Sequence, residues 1–319
     1  MTEQMLDGAQ TNLLERPRPL TIGISTRALF DLEEEHRVFE EQGVEAYSKL
    51  QRERENALLA KGTAFDVVER LLALNPSGST SLVEVILLSR NSPDLSLRAF
   101  NSVKEYGLRI ERGSFTSGRP VAPFVGAWNI DLFLSNDEGD VQTAARAGTA
   151  AAKLGSPPEE RLQIPEDEVR FALDGDAVVF DAESDRIFAE QGLEAFFEHE
   201  TKNAQVPLNR GPFGNFLHKL ANLRAQVARG DGTSRVRIAI VTARNAPAHA
   251  RVVYTLRAWG TPADEAHFVG RNEKAPILRA LGAHIFFDDQ QKHVLGASGV
   301  VPAGLVPGPH DPHKPIIPA

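Results

Sequence analysis

The chain has 319 residues, 42% hydrophobic and 24% charged, which excludes a disordered, collagen-like or coiled-coil protein and suits about two domains of ordinary size. Its 35 basic against 43 acidic residues give a net charge of -8, which opposes indiscriminate binding to nucleic-acid backbones or anionic membranes, so an anionic substrate needs a local cationic pocket. With no cysteine, disulfides, thiolate metal sites and cysteine nucleophiles are excluded, and His, Asp and Glu remain as metal ligands.

Residues 1–19 are polar, with no apolar run of signal or membrane type, and read as a flexible segment of a soluble, cytoplasmic protein. Leu20 to Ser25 is an apolar strand, and Asp31 to Arg54 is a charged helix interrupted at Gly43. Val83 to Leu88 is a second strand, Pro93 to Tyr106 a helix closed by Gly107, and Ile130 to Leu134 a third strand. Gly139 to Leu154 reads as a charged helix leading into a linker, Gly155 to Arg161, that places a domain boundary near residue 158. The second half repeats the alternation, with strands at Val169 to Leu173, Val236 to Val241 and His284 to Phe287, and a helix at Ala248 to Trp259. Such alternation predicts an α/β fold of parallel, Rossmann-like sheets flanked by helices. Residues 301–319 are rich in proline and read as an irregular tail; its Pro-His-Asp-Pro-His-Lys-Pro carries no metal assignment.

The halves match each other. Phe39-Glu-Glu-Gln-Gly-Val-Glu-Ala-Tyr47 parallels Phe188-Ala-Glu-Gln-Gly-Leu-Glu-Ala-Phe196, Ser89-Arg-Asn91 parallels Ala243-Arg-Asn245, and Val121-Ala-Pro123 parallels Lys274-Ala-Pro276. A nearly constant offset of about 150 residues predicts two tandem copies of a whole domain, 20–157 and 158–300, each with its own sheet.

In the second copy the strand Arg170-Phe-Ala-Leu runs into Asp174-Gly-Asp176, so two carboxylates leave the carboxyl end of a strand, where open α/β sheets place ligands. Extended geometry puts both on one side, and Gly175 leaves room for close backbone approach. Thr242, Lys274 and Asp288-Asp289 follow at or near the ends of later strands, and together these groups make a phosphoryl-transfer set.

The set resembles the four motifs of haloacid-dehalogenase-like phosphatases, although Ala177 stands where that superfamily often has a second glycine. Ile24-Ser-Thr-Arg-Ala-Leu-Phe-Asp-Leu-Glu-Glu-Glu-His36, Phe171-Ala-Leu-Asp-Gly-Asp-Ala-Val178, Phe196-Phe-Glu-His-Glu200 and His284-Ile-Phe-Phe-Asp-Asp-Gln290 sharpen the resemblance to the type I cytosolic 5′-nucleotidases, from Leu20 to about Gly299. The resemblance implies that Asp174 is the nucleophile of an aspartyl-phosphate mechanism and Asp176 the general acid and then base. It implies Mg2+ held by Asp174, the Asp176 carbonyl, Asp288 and the substrate phosphate. Asp289 is placed behind them, holding a metal-bound water or orienting Lys274, although adjacent acids leave the two roles exchangeable. Thr242 with the Ala243 and Arg244 amides would hold phosphate oxygens, and Lys274 would supply fixed positive charge. Arg244 and Asn245 read equally as structural groups or as contacts to phosphate or ribose.

The first copy lacks this set: Ser25, Arg27, Leu88, Val121 and Ser135-Asn136 replace Asp174, Asp176, Thr242, Lys274 and Asp288-Asp289. It reads as a silent domain that supports the active one, completes its pocket or binds a regulatory nucleotide, with Arg27 paired to one of Glu33 to Glu35. A helical cap is predicted over 183–230, where Phe197, His199, Asn203 and Phe213 are candidate contacts for a purine. His284 sits in an apolar strand as a core residue, and no zinc, dinucleotide, Walker or nucleic-acid motif occurs. The expected function is hydrolysis of nucleoside 5′-monophosphates, AMP or its relatives. Another small phosphomonoester such as a sugar phosphate, or nucleotide sensing with vestigial hydrolysis, are the alternatives; oligomeric state is left open.

Overall fold

The computed structural model describes residues 18–78, 81–158 and 167–308. Its first half runs β1 (Leu20–Ile24), α1 (Thr26–Leu29), β2 (Phe30–Asp31), α2 (Glu33–Glu53), β3 (Ala60–Lys61), α3 (Phe65–Leu72), β4 (Val83–Ser89), α4 (Pro93–Glu105), β5 (Arg112–Phe115), α5 (Ala122–Ala127), β6 (Leu132–Ser135), α6 (Glu138–Arg146) and β7 (Ala150–Leu154). The second half runs β8 (Val169–Leu173), a π turn (Gly175–Val179), α7 (Glu183–Lys202), α8 (Gly214–Gln226), β9 (Val236–Thr242), α9 (His249–Ala258), β10 (Glu265–Phe268), α10 (Ala275–Leu281), β11 (Ile285–Asp288), α11 (Gln291–Ala297) and β12 (Ala303–Leu305).

The expectation of one sheet per half is corrected, because a single ten-stranded sheet runs β10-β9-β8-β11-β12-β7-β6-β1-β4-β5. All neighbours are parallel except β12 and β7, whose antiparallel pairing at Leu305↔Lys153 joins the halves. Pairing the two would-be edges removes exposed backbone groups that each half would otherwise present. Two further expectations change for the same reason. Ala150 to Leu154 is a strand because Gly148, at φ 86°, ends the preceding helix, and residues 303–305 of the supposed tail are a buried strand. Residues 309–319, with His310 and His313, lie outside the described residues, as do most of residues 1–19 and 159–166 of the linker.

The strand order is the same in both halves, β5-β4-β1-β6-β7 and β10-β9-β8-β11-β12. Side-chain contacts repeat with it. Leu59 N–H donates to Ser102 Oγ at 3.0 Å and Leu208 N–H to Thr255 Oγ1 at 3.0 Å, while Arg98 Nε donates to Ala57 O at 2.9 Å and Arg251 Nε to Val206 O at 3.0 Å. Gly43 (φ 81°, ψ -176°) and Gly192 (φ 85°, ψ -177°) kink α2 and α7 with a backbone that only glycine adopts readily. Strand register also corrects one equivalence: Ser89, not Leu88, occupies the place of Thr242, because Ile24↔Leu87 matches Leu173↔Ile240.

Strands β1, β4 and β8 are buried along almost their whole length, as parallel strands covered on both faces must be. On one face a continuous core spans the halves, from Ile22, Phe30 and Phe65 to Phe171, Phe213 and Phe287; on the other, Phe133 and Phe286 centre two separate clusters. Within the stretch 183–230, α8 packs on β9 and β1 and belongs to the sheet-covering layer, so only α7 stands beside the strand ends. The first half carries the corresponding pair, α2 and α3, so this insertion is not peculiar to the second half. Phe213 is completely buried, with its ring 4.8 Å from Phe287 and 5.8 Å from Phe216, which corrects its assignment as a purine contact. Phe213→Ala is expected to cost about 3 to 5 kcal/mol of stability in urea unfolding, the ordinary price of an emptied aromatic core site. A change below about 1 kcal/mol would contradict the core assignment.

Candidate active site

The second half reverses its winding between β8 and β11: β9 and β10 extend from one side of β8, and β11 lies on the other. A crevice of this kind outside the carboxyl ends of strands is a ligand site in open α/β sheets. Asp174 and Asp288 come together there because β8 and β11 are hydrogen-bonded in register, Leu173↔Phe287, and Asp174 N–H continues the ladder to Phe287 O at 2.9 Å. Lys274 stands at the start of α10 and reaches both carboxylates, with Nζ 2.8 Å from Asp174 Oδ1 and 2.6 Å from Asp288 Oδ2. All three side chains are buried.

After Asp174 the chain turns sharply. A Cβ on Gly175 would lie 3.1 Å from Thr242 Oγ1, so glycine lets the turn pass against the end of β9. Ala177 adopts φ 57°, the left-handed conformation that glycine takes freely; an L side chain there costs roughly 1–2 kcal/mol. Thr242 Oγ1 accepts the Arg244 N–H at 3.2 Å, which fixes the turn after β9. Ala243 and Asn245 are exposed beside it.

Burial dominates the electrostatics. It pushes the Asp174 carboxyl up to about 7, with Lys274 opposing and Asp288 and Asp176 adding to the rise. Asp289 is pushed up to about 8 by burial, then by the charges of Asp174, Asp288 and Asp185. At Asp288 burial also acts upward, but His293, with Nδ1 3.2 Å from Oδ2, and Lys274 outweigh it and hold the group below its ordinary value. Burial works against the Lys274 ammonium, and the two carboxylates it touches reverse that and raise its pKa. A crowded set of acids with too little countercharge is a setting for a hard divalent cation. One oxygen each of Asp174, Asp288 and Asp289 lie within 4.8 Å of one another, and Asp289 Oδ1 is buried with no hydrogen-bond partner. These residues fit such an ion.

The side-chain carboxylates gathered here are Asp174, Asp288 and Asp289, while the carboxylate of Asp176, whose backbone carbonyl rather than side chain was assigned to the metal, is held by an arginine. Arg244 Nε and Nη2 donate to Asp176 Oδ2 and Oδ1 at 2.7 and 2.6 Å. Arg244 also donates to Ser184 Oγ at 2.7 Å and pairs with Glu200, and its guanidinium lies 5.6 Å from the Phe196 ring. Arg251 holds the other side of Glu200 at 2.9 Å. The Arg244 side chain is thus committed to neighbouring groups, and its backbone N–H to Thr242 Oγ1.

The remaining candidates fall around this network. Phe197 is half-buried with its ring 5.5 Å from Phe196. His199 Nε2 is 3.2 Å from Arg251 Nη1, and Asn203 Nδ2 donates to His199 O at 2.9 Å, closing the end of α7. His284 is a core residue as expected: its Nδ1 accepts Arg170 N–H at 2.9 Å, and burial drives its pKa to about 3, aided by Arg70 and Arg170. Sequence reasoning missed Ser184, Asp185, Glu200, Arg251 and His293. Burial, then the charge of Asp176, pushes Asp185 up to about 7, which marks it as a further acid near the site. Only His293, five residues after Asp288, carried a local signal; the others reach the site through the packing of α7 and α9.

Residues 13–312 match the family model described as 5′-nucleotidase. The chain is 34% identical over 293 residues to human (Homo sapiens) cytosolic 5′-nucleotidase 1B, covering 88% of this chain and 48% of that protein. It belongs to the 5′-nucleotidase family. The chain spans about half the length of this human relative. A solved structure described as a UDP-N-acetylglucosamine 2-epimerase of Listeria monocytogenes aligns with 90% of this chain and 78% of that one at 9% identity; its TM-score of 0.22 carries no argument. No helix among the described residues is long and apolar enough to cross a membrane.

The raised carboxylates make stability depend on pH and cation. Asp174 and Asp289 have folded values of about 7 and about 8 against an ordinary 3.8, so their destabilising effect is absent below about pH 4 and grows as pH rises through 8. In chelator the melting temperature should therefore fall over that window, and millimolar Mg2+ should restore it most at the alkaline end. A melting temperature indifferent to both pH and Mg2+ would contradict this reading.

Proposed function

We propose that the second half is a magnesium-dependent phosphatase that hydrolyses nucleoside 5′-monophosphates, AMP or a close relative, to nucleoside and inorganic phosphate. The observation that carries the reading is the buried cluster of Asp174, Asp288 and Asp289 around Lys274 at the winding reversal of the sheet, in a chain of the 5′-nucleotidase family.

In this reading the Asp174 carboxylate attacks phosphorus, forming an aspartyl-phosphate as the bond to the ribose oxygen breaks. Asp174, Asp288 and Asp289 would hold the divalent ion, which offsets the negative charge of the phosphate and polarises its oxygens. Lys274 orients Asp174 and stabilises the charge that builds on the transferring group. Thr242 with the Ala243 amide holds phosphate oxygens at the turn after β9. Asp176 protonates the leaving oxygen and then takes a proton from the water that opens the intermediate. Since Arg244 grips both Asp176 oxygens, this role requires that carboxylate to turn away as substrate is seated. α7 covers the site and limits water.

The repeated strand order and repeated hydrogen bonds support reading the two halves as tandem copies of one haloacid-dehalogenase-like domain, the second extended past residue 300 to include β12. The first copy is silent, for Ser25, Arg27, Ser89, Val121, Ser135 and Asn136 stand where the second carries its chemistry. A soluble, cytoplasmic setting accords with the human relative's name.

Phosphate release should be measured from ribo- and deoxyribonucleoside monophosphates and sugar phosphates, with Mg2+ or chelator. Turnover of nucleotides should require Mg2+ and fall about a thousandfold or more in Asp174→Asn. Activity confined to sugar phosphates would move the substrate class; no turnover of any phosphomonoester would overturn the reading.

A further inference from the structure

The first half keeps a cavity of about 480 Å³ at the carboxyl ends of β1, β4 and β6, in the position that the catalytic cluster occupies in the second half. The volume suits a small organic ligand. Arg27, Phe39, Tyr47, Arg90, Asn91 and Asn136 line it.

The replacements here follow a chemical pattern. Ser25, Ser135 and Asn136 stand in the places of the carboxylates Asp174, Asp288 and Asp289, which removes any set of ligands for a divalent cation at those positions. Arg27 stands in the place of Asp176 and reverses the charge there. Asn91 stands in the place of Arg244: its Nδ2 stops at Thr26 Oγ1, 3.1 Å away, whereas Arg244 reaches across to Asp176, Ser184 and Glu200. The shorter side chain leaves the space open.

The wall carboxylates are already engaged. Glu35 is held by Arg98 at 2.6 Å, Asp140 by Arg90 at 2.7 Å, and Asp137 Oδ1 accepts the Asp140 N–H at 2.8 Å. Both cavity arginines keep donors to spare, since Arg27 pairs with Glu33 through Nη2 and Arg90 with Asp140 and Asp137 through Nη2, and neither Nη1 has a hydrogen-bond partner among the described residues. The Arg27 partner is a 71% exposed carboxylate, a weak pairing that an incoming anion can replace. The same cavity is lined by Phe39 and Tyr47, set edge-on with ring centres 6.0 Å apart, and Phe39, stacked on His36, remains 44% exposed. Guanidinium donors and aromatic rings lining one cavity recognise an anion attached to a flat ring.

We propose that this cavity is a second binding site, for a small anion carrying a flat ring, of nucleoside monophosphate class, and that it binds without a divalent cation. The choice of nucleotide rests on the function proposed above; the loss of the three acids and the shared arginine and aromatic lining do not.

Equilibrium dialysis of labelled AMP against the whole protein in excess chelator tests it, beside adenosine and inorganic phosphate alone. Saturable AMP binding is expected, tighter than that of either fragment. It should weaken about tenfold or more in Arg27→Ala, the loss of a charge-assisted contact, and also in Phe39→Ala, an exposed position where folding is not at stake. Asp174→Asn, which removes a buried acid from the other crevice and leaves Lys274 paired with Asp288, should leave it intact. Absence of AMP binding in chelator, binding indifferent to both first-half variants, or adenosine binding as tightly as AMP would overturn the proposal. Turnover in Mg2+, measured in parallel, separates the two readings: turnover without chelator-resistant binding defeats this inference alone, and such binding without turnover defeats the nucleotidase reading alone.

Discussion

The contact on which the candidate site depends is the buried ammonium of Lys274 between Asp174 and Asp288. Parallel pairing of β8 with β11 forces two carboxylates to emerge side by side with little water around them, and like charges so placed resist ionising together. Lys274 relieves part of that repulsion, and removing it would leave uncompensated charge in the interior. Asp289 adds a third acid that Lys274 does not satisfy, so the cluster remains short of positive charge. In the proposed reading a divalent cation would make good that deficit.

A second buried network, Arg244 with Asp176, Ser184, Glu200 and Arg251, ties the strand ends to α7 and α9. The first half retains its structural part: Arg98 holds Glu35 at 2.6 Å and Gln51 at 3.4 Å, as Arg251 holds Glu200. It lacks the bridge that Arg244 makes, because Asn91 is too short. One scaffold therefore carries an acid-rich crevice in one half and, in the other, an open cavity whose wall carboxylates are already engaged, and the antiparallel β7 and β12 pair locks the two into a single sheet.

Much of this was legible in the sequence. The apolar strands and the Asp174-Gly-Asp176 motif mark the catalytic half because they are local patterns, and the matched Gly43 and Gly192 segments reveal the repeat because both kinks demand glycine. Phe213 was misread since an aromatic among polar loop residues looks like a ligand contact, whereas its partners Phe216 and Phe287 become neighbours only when α8 folds onto the sheet. β12 was hidden by its brevity and flanking prolines. The grip of Arg244 on Asp176 was not legible because side-chain direction after a strand end depends on a turn, here the left-handed Ala177, that composition does not disclose. Ser184 and Arg251 lie far apart along the chain and carry no motif, and Glu200, although it closes the Phe196-Phe-Glu-His-Glu200 motif, meets Arg244 and Arg251 only through tertiary packing.

The central claim is that Asp174 is the group that accepts phosphorus. Rapid acid quench during turnover of AMP in Mg2+, followed by mass spectrometry of the peptides, tests it most directly. The account predicts a transient phosphoryl adduct on the peptide containing Asp174 that is absent in chelator; turnover with no adduct on that peptide at any quench time, or with the adduct on another residue, would contradict it.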